Sequence, residues 1–182
     1  GLGCWDPKPL RNPDLVFALA EPCDVQTLDD LVEKVFRHYR SHYHANPLFD
    51  PEKILAGYKE WALAHLRADL SRKIWLVRRE NTIIAFACCR FDDITKTCEG
   101  VLYGVHPEHA GGGIYGDLIR YTQGFFKTNG FVRMRVSTQI DNFAVQKVWA
   151  REGFHLDQAY DTFHVNALLS QDSEYVRIDR KS

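Results

Sequence analysis

Residues 105–116 read Val-His-Pro-Glu-His-Ala-Gly-Gly-Gly-Ile-Tyr-Gly, between an apolar strand pattern and a helical one. Gly111, Gly112 and Gly113 let the backbone approach a ligand closely and adopt torsions closed to other residues. The first amides of the helix that follows lack intrahelical acceptors and point out of its positive end, where a phosphate or diphosphate fits. A flexible glycine turn entering a helix accounts for the same residues, and on this stretch alone both readings stand. No Lys-Ser or Lys-Thr follows the glycines, so this is not a Walker loop. No acidic ribose partner stands out downstream, which makes it a poor dinucleotide fingerprint.

A second group of chemically capable residues is Tyr39, His42, Tyr43 and His44, polar aromatics suited to hydrogen-bonding and stacking a sugar or a base. A helix end with solvent-facing histidines explains them equally, and His164 near the end of the chain carries the same two readings. The eight histidines include no HExxH, the nearest grouping being His38, His42 and His44, so no metal site is expected. The five cysteines form no CxxC, and Cys88 and Cys89 sit in an apolar run as small hydrophobes, which fits reduced structural thiols.

Several elements must position these groups. Residues 1–14, with Pro7, Pro9 and Pro13, read as an irregular arm, and residues 15–182 as a single domain without repeats or Gly/Ser linkers. Val16 to Leu19 is a short strand. A helix over 25–40, capped by Asp24, buries Leu28, Leu31, Val32, Val35, Phe36 and Tyr39. A second helix opens at Asp50-Pro51 and carries the stripe Ile54, Leu55, Tyr58, Trp61, Ala62 and Leu66. The period then shortens to two. Strands are expected at Ile74 to Val77, Thr82 to Arg90 and Cys98 to Val105, with a turn at Glu80-Asn81. Helices follow at 113–127 and 142–152, separated by a half-buried strand around Val132, Met134 and Val136, and Phe163 to Leu168 forms a last strand. The order predicts an α+β fold, a mixed and mostly antiparallel sheet flanked by helices.

Composition narrows the function classes. The chain has 182 residues, 45% hydrophobic and 26% charged, enough for one full core. A net charge of −1 gives no electrostatic case for nucleic acid or a membrane surface. No apolar run approaches membrane-spanning length and no secretory pattern opens the chain, so the sequence reads as cytoplasmic.

The loop resembles the acyl-CoA pyrophosphate loop of the GNAT superfamily of N-acetyltransferases, whose motif is Val-x-Pro followed by Arg/Gln-x-x-Gly-x-Gly/Ala. Val105, Pro107 and Gly113 match, while Ala110 replaces the Arg or Gln and Tyr115 the last small residue. Residues 142–154, from Asn142 to Gly153-Phe154, are similar to the family's late helix, although Gly153 is also an ordinary helix stop. The resemblance implies the GNAT fold and acetyl-CoA as co-substrate, held by Tyr103, Val105, Ala110, Gly111, Gly112, Gly113, Ile114, Tyr115, Gly116, Asn142 and Trp149. It implies backbone amides near Tyr103 and Val105 at the thioester and Glu99 as general base, against the alternative of a strand-edge carboxylate facing solvent. Trp149 stands where many members carry a proton-donating Tyr, and an indole N–H is no useful acid.

Ser41 to Pro47, Tyr58 to Trp61 and Arg135 to Gln139 further resemble the dTDP-fucosamine acetyltransferase group. That resemblance implies a small-molecule acceptor, the amine of a nucleotide-linked amino sugar, touched by Tyr43, His44 and His164, and it admits a homodimer. The alternatives are another amine, such as a protein N-terminus or lysine, a polyamine or an antibiotic, and a non-catalytic acyl-CoA-binding domain.

Overall fold

The computed structural model describes residues 1–67 and 71–166. One sheet runs in the order β1 (Leu15–Leu19), β2 (Arg72–Arg79), β3 (Thr82–Asp92), β4 (Thr97–Val105), β5 (Arg133–Val136). The first three pairings are antiparallel and the last is parallel. Helices α1 (Val25–Phe36), α2 (Pro51–Leu63), α3 (Ile114–Thr128) and α4 (Phe143–Arg151) complete the mixed α+β fold that the residue pattern predicts. No helix among the described residues is long and apolar enough to cross a membrane.

Strand β3 shows why its sequence is a continuous apolar run rather than an alternation. Every residue from Ile84 to Cys89 is buried, because helices cover both faces of the sheet. Phe86 and Cys88 pack with Leu28, Val32 and Tyr58 of α1 and α2. Ala87 and Cys89 pack with Leu118 and Phe126 of α3. All five cysteines are free, and burial pushes the Cys88 and Cys89 thiols well up, as expected of inert core thiols.

Between Cys88 and Cys89 the β3–β4 register slips, so Leu102 and Gly100 take successive partners and Val101 is left over. Strand β5 pairs with β4 only from Thr97 to Gly100. Beyond that point β4 runs on to Val105 without a ladder on this side, and the two strands part.

The arm is irregular apart from a 3-10 turn at Leu2–Cys4, and it is docked. The Leu2 N–H bonds Val132 O at 2.9 Å, and Leu2 joins the α3-side core. Three other expectations need correction. Helix α1 stops at Phe36 and does not reach residue 40. Trp61 is 46% exposed, at the rim of the α2 stripe rather than within it. The last strand is absent where described: residues 163–166 have no ladder, Phe163 and Val165 are exposed, and residues 167–168 lie outside the described residues. Among the described residues their alternation has no neighbouring strand to lie against, and side chains fix the segment. His164 Nε2 lies 3.2 Å from His42 O, and Asn46 Nδ2 donates to Asn166 Oδ1 at 2.9 Å.

Candidate active site

The opening between β4 and β5 is the first feature of the site. The His106 N–H bonds Ile84 O at 2.7 Å. Antiparallel strands alternate the direction of their amides, so Val105 and Tyr103 turn theirs away from β3 and into the opening. Tyr103 offers nothing else there. Its hydroxyl is sequestered in the core, donating to Thr122 Oγ1 at 2.8 Å and lying 3.1 Å from Cys89 Sγ, and burial pushes it well up.

The glycine loop closes the carboxyl end of β4. After a 3-10 turn at Pro107–His109, Gly111 and Gly113 take left-handed torsions, φ +85° and +86°. Gly113 is the N-cap of α3, and no side chain caps that terminus. The first intrahelical bond runs from Asp117 N to Gly113 O, so the amides of Ile114, Tyr115 and Gly116 have no helical acceptor. A Cβ at Gly111 would meet open space. Uncapped amides beside a backbone left open at Gly111 fit a diphosphate. The side chains of the loop divide accordingly: Ala110 is exposed, whereas Ile114 is core and contributes only its amide.

Helix α4 forms the other wall. A Cβ at Gly116 would lie 3.8 Å from Val148 Cγ1, an ordinary contact, so α3 and α4 pack side by side there without requiring a glycine. Tyr115 stands between Tyr103, at 6.2 Å between ring centroids, and Trp149. Burial pushes its hydroxyl up, and the indole of Trp149 acts weakly the other way. The Trp149 Nε1 is buried without a hydrogen bond of good geometry. Asn142 caps α4, its side chain accepting from Val145 N at 3.4 Å and donating to Thr138 Oγ1 at 3.0 Å. The hydroxyl of Tyr39 joins that group and is likewise pushed up by burial, with Thr138 and Asn142 opposing.

Glu99 lies on the sheet face covered by α1 and α2. It stands across from Arg90, two residues beyond Cys88 of that core. Arg90 Nε and Nη2 approach Glu99 Oε2 at 2.7 and 2.6 Å, and Arg135 is its register partner on β5. The carboxylate is three-quarters covered and ion-paired, not a free strand-edge group.

The residues that the resemblance assigns to the acceptor separate. Tyr43 and His164 come together with His42 and Phe49, with ring centroids 5.7 Å apart for His42 and His164 and 5.4 Å for Phe49 and His164. His44 does not join them: its Nδ1 accepts the Ser41 N–H at 3.1 Å, capping its own 3-10 turn. Phe49 and Gln139, whose amide lies 3.1 Å from His42 Nδ1, escape sequence reasoning because their roles depend on where the connections cross.

The residue with the least legible role is Asp117. It is wholly buried in the first turn of α3 and accepts the N–H groups of Arg11 and Asn12 at 2.7 and 2.9 Å and Asn12 Nδ2 at 2.8 Å. The first of these partners lies 106 residues away, so no local pattern announces it.

Known proteins bear on this geometry. No curated protein matches the chain. PaiA N-acetyltransferase from Thermoplasma acidophilum, in complex with coenzyme A, superposes with a TM-score of 0.66 at 16% identity, over 80% of this chain and 92% of that one. AAC(6')-Iy, in complex with a CoA-S-monomethyl-acetylneamine bisubstrate analog, gives 0.58 at 17% identity, over 84% and 99%. A ribosomal-protein-alanine N-acetyltransferase from Brucella melitensis gives 0.59 at 13% identity, over 83% and 99%. At these identities the likeness is one of fold. The sequence model of the acetyltransferase (GNAT) family matches residues 30–154, from within α1 through the end of α4. The chain belongs to the GNAT family of acetyl-CoA-dependent N-acetyltransferases.

Proposed function

We propose that the protein acetylates the amino group of a nucleotide-linked amino sugar, by direct attack of the neutral amine on the thioester. The observation that carries the co-substrate half is the parting of β4 from β5 with the uncapped terminus of α3 at its open end. Acetyl-CoA, when bound, supplies the thioester whose C–S bond breaks as the C–N bond forms. The amides of residues 111–116 hold its phosphates, and Asn142 and Trp149 border the arm between phosphates and thioester. The Val105 and Tyr103 amides receive the charge that builds on the carbonyl oxygen. Glu99, oriented by Arg90, takes the ammonium proton through water. Trp149 donates a hydrogen bond but no proton, so the departing thiolate takes its proton from water or from the spent amine.

The sugar half rests on the cluster of His42, Tyr43, Phe49 and His164. Such rings stack on sugar faces and bases and supply one or two directed hydrogen bonds. A polyamine or a polycationic antibiotic calls for carboxylates at this wall, and these four side chains are not acids.

The test is thiol release from acetyl-CoA across a panel: a dTDP-linked 4-amino-4,6-dideoxy sugar, an aminoglycoside, spermidine and an N-terminal peptide. Preference for the nucleotide sugar supports the reading, and preference for any other amine replaces it. Glu99→Gln is expected to lower turnover about 100-fold while leaving CoA affinity unchanged. Trp149 also favours a second reading, an acyl-CoA-binding domain without turnover. Saturable CoA binding with no thiol release from any amine establishes that one.

A further inference from the structure

The glycine loop has a local charge deficit. Residues 105–116 include no Lys or Arg, while Glu108 lies within the loop and Asp117 lies buried one turn into α3. A multiply charged phosphate group seated on backbone amides alone has no cation from the loop beside it, and Arg120, which lies 3.5 Å from Asp117, is already engaged by Glu152 and Pro9 O. The chain lays a cation across the loop from elsewhere. The methylene stem of Arg11 passes over Gly113 so closely that a Cβ there would lie 2.8 Å from Arg11 Cδ and 3.4 Å from its Nε and Nη1.

The Arg11 guanidinium is exposed and has no hydrogen bond or ion pair among the described residues. Its backbone is held firmly nonetheless. The Arg11 and Asn12 amides donate to Asp117, Asn12 Nδ2 donates to Gly112 O at 3.1 Å, and Arg79 Nη2 donates to Asn12 Oδ1 at 2.9 Å. With Arg120 Nη1 donating to Pro9 O at 3.0 Å, the arm is pinned on both sides of a free guanidinium, against a loop of uncapped amides, and is preorganised to bind an anion.

We propose that Arg11 is a phosphate-binding residue of the acetyl-CoA site, delivered by the amino-terminal arm to a loop that has no cation of its own. The inference rests on the acetyl-CoA reading of that loop. Asp117 then has a defined part: it fixes the arm through backbone donors and leaves the Arg11 charge available. Arg11 is a binding residue rather than a catalytic one, so its signature is in affinity and ionic-strength dependence.

The experiment is calorimetric titration of the full chain and its Arg11→Ala and Arg11→Lys variants with CoA and with 3′-dephospho-CoA, at low and high salt. Arg11→Ala is expected to weaken CoA about tenfold at low salt, with a shallower salt dependence, and Arg11→Lys to recover part of the loss. Thermal midpoints are expected to stay together, since the anchoring bonds at residue 11 use its backbone. An equal loss with both ligands assigns Arg11 to the diphosphate, and a loss confined to CoA assigns it to the 3′-phosphate. Equal affinities of wild type and Arg11→Ala overturn the role of Arg11 and leave the co-substrate reading intact. Tighter binding by Arg11→Ala also overturns it, making the arm a shield. Failure of the wild type to bind CoA at millimolar concentration overturns both.

Discussion

The two walls of the site are built by different means. The cofactor side, where α3 meets the arm and α4, is tied through buried charge: Asp117 takes three donors from the arm, and Arg120 bridges α3 to Glu152 at 2.9 and 3.0 Å while its Nη1 donates to Pro9 O at 3.0 Å. The proposed acceptor side is a set of half-exposed rings joined by a few side-chain contacts, with residues 163–166 held by His164 and Asn166 rather than by a ladder. Buried ionic networks fix one geometry and cost dearly when broken, whereas stacked surface rings tolerate exchange.

The sharpest way to break the contrast is Asp117→Ala. The carboxylate is fully buried, and its loss strands the Arg11 and Asn12 amides and leaves Arg120 to Glu152 and Pro9 O. A destabilisation of about 3 kcal/mol is expected, or roughly 6–12 °C in thermal midpoint. A midpoint within about 2 °C of wild type would mean that the arm is not part of the cooperative unit.

Gly113→Val tests the loop itself. Valine at φ +86° costs about 1–2 kcal/mol in backbone strain, and its side chain would displace the Arg11 stem. CoA affinity is expected to fall at least about tenfold by calorimetry, well beyond the effect on stability. Unchanged affinity would move the phosphates off this loop.

His164→Ala probes the opposite wall. It removes the stacking on His42, the edge-to-face contact with Phe49 and one contact with His42 O, in a segment without a ladder. KM for the acceptor is expected to rise about 3- to 10-fold, with the CoA dissociation constant and thermal midpoint unchanged. A matching rise in the CoA constant would show that the two walls are coupled.

Legibility in the sequence followed the same division. Strands and helices were readable because each carries its own period: the α1 stripe is buried at Leu28, Leu31, Val32 and Phe36, and Asp50-Pro51 opens α2 with Asp50 accepting from Glu52 N. The glycine loop was readable because left-handed torsions are demanded locally at Gly111 and Gly113. Phe163 and Val165 mislead because alternation signals a strand only where a neighbouring strand receives it, and none does so among the described residues. His44 misled because a histidine that caps its own turn looks like one that faces a ligand. Asp117 was silent because its partners are far away in sequence.

The smallest expected effect concerns the helices that carry the acceptor wall. Where α1 meets α2, Lys59 bridges Asp29 and Glu33 at 2.7 and 2.9 Å, and Arg37 reaches Glu33 at 2.7 Å. These contacts, that of Lys59 foremost and Arg37 next, hold the Glu33 carboxyl down at about 2 against its usual 4.5. A carboxyl depressed in the folded state contributes stability above the unfolded value, and loses it as pH falls from about 4.5 towards 2. Glu33→Gln should therefore melt below wild type near neutral pH, and the gap should close over that acid window. The group is exposed, so water and salt screen the pairing and the gap is expected to be no more than about 2 °C. A gap that persists at pH 2 would mean that Glu33 acts through packing rather than charge. A gap as large as that of Asp117→Ala would show that the acceptor-side helices rest on ionic contacts as firmly as α3 does, and the contrast between the walls would fall.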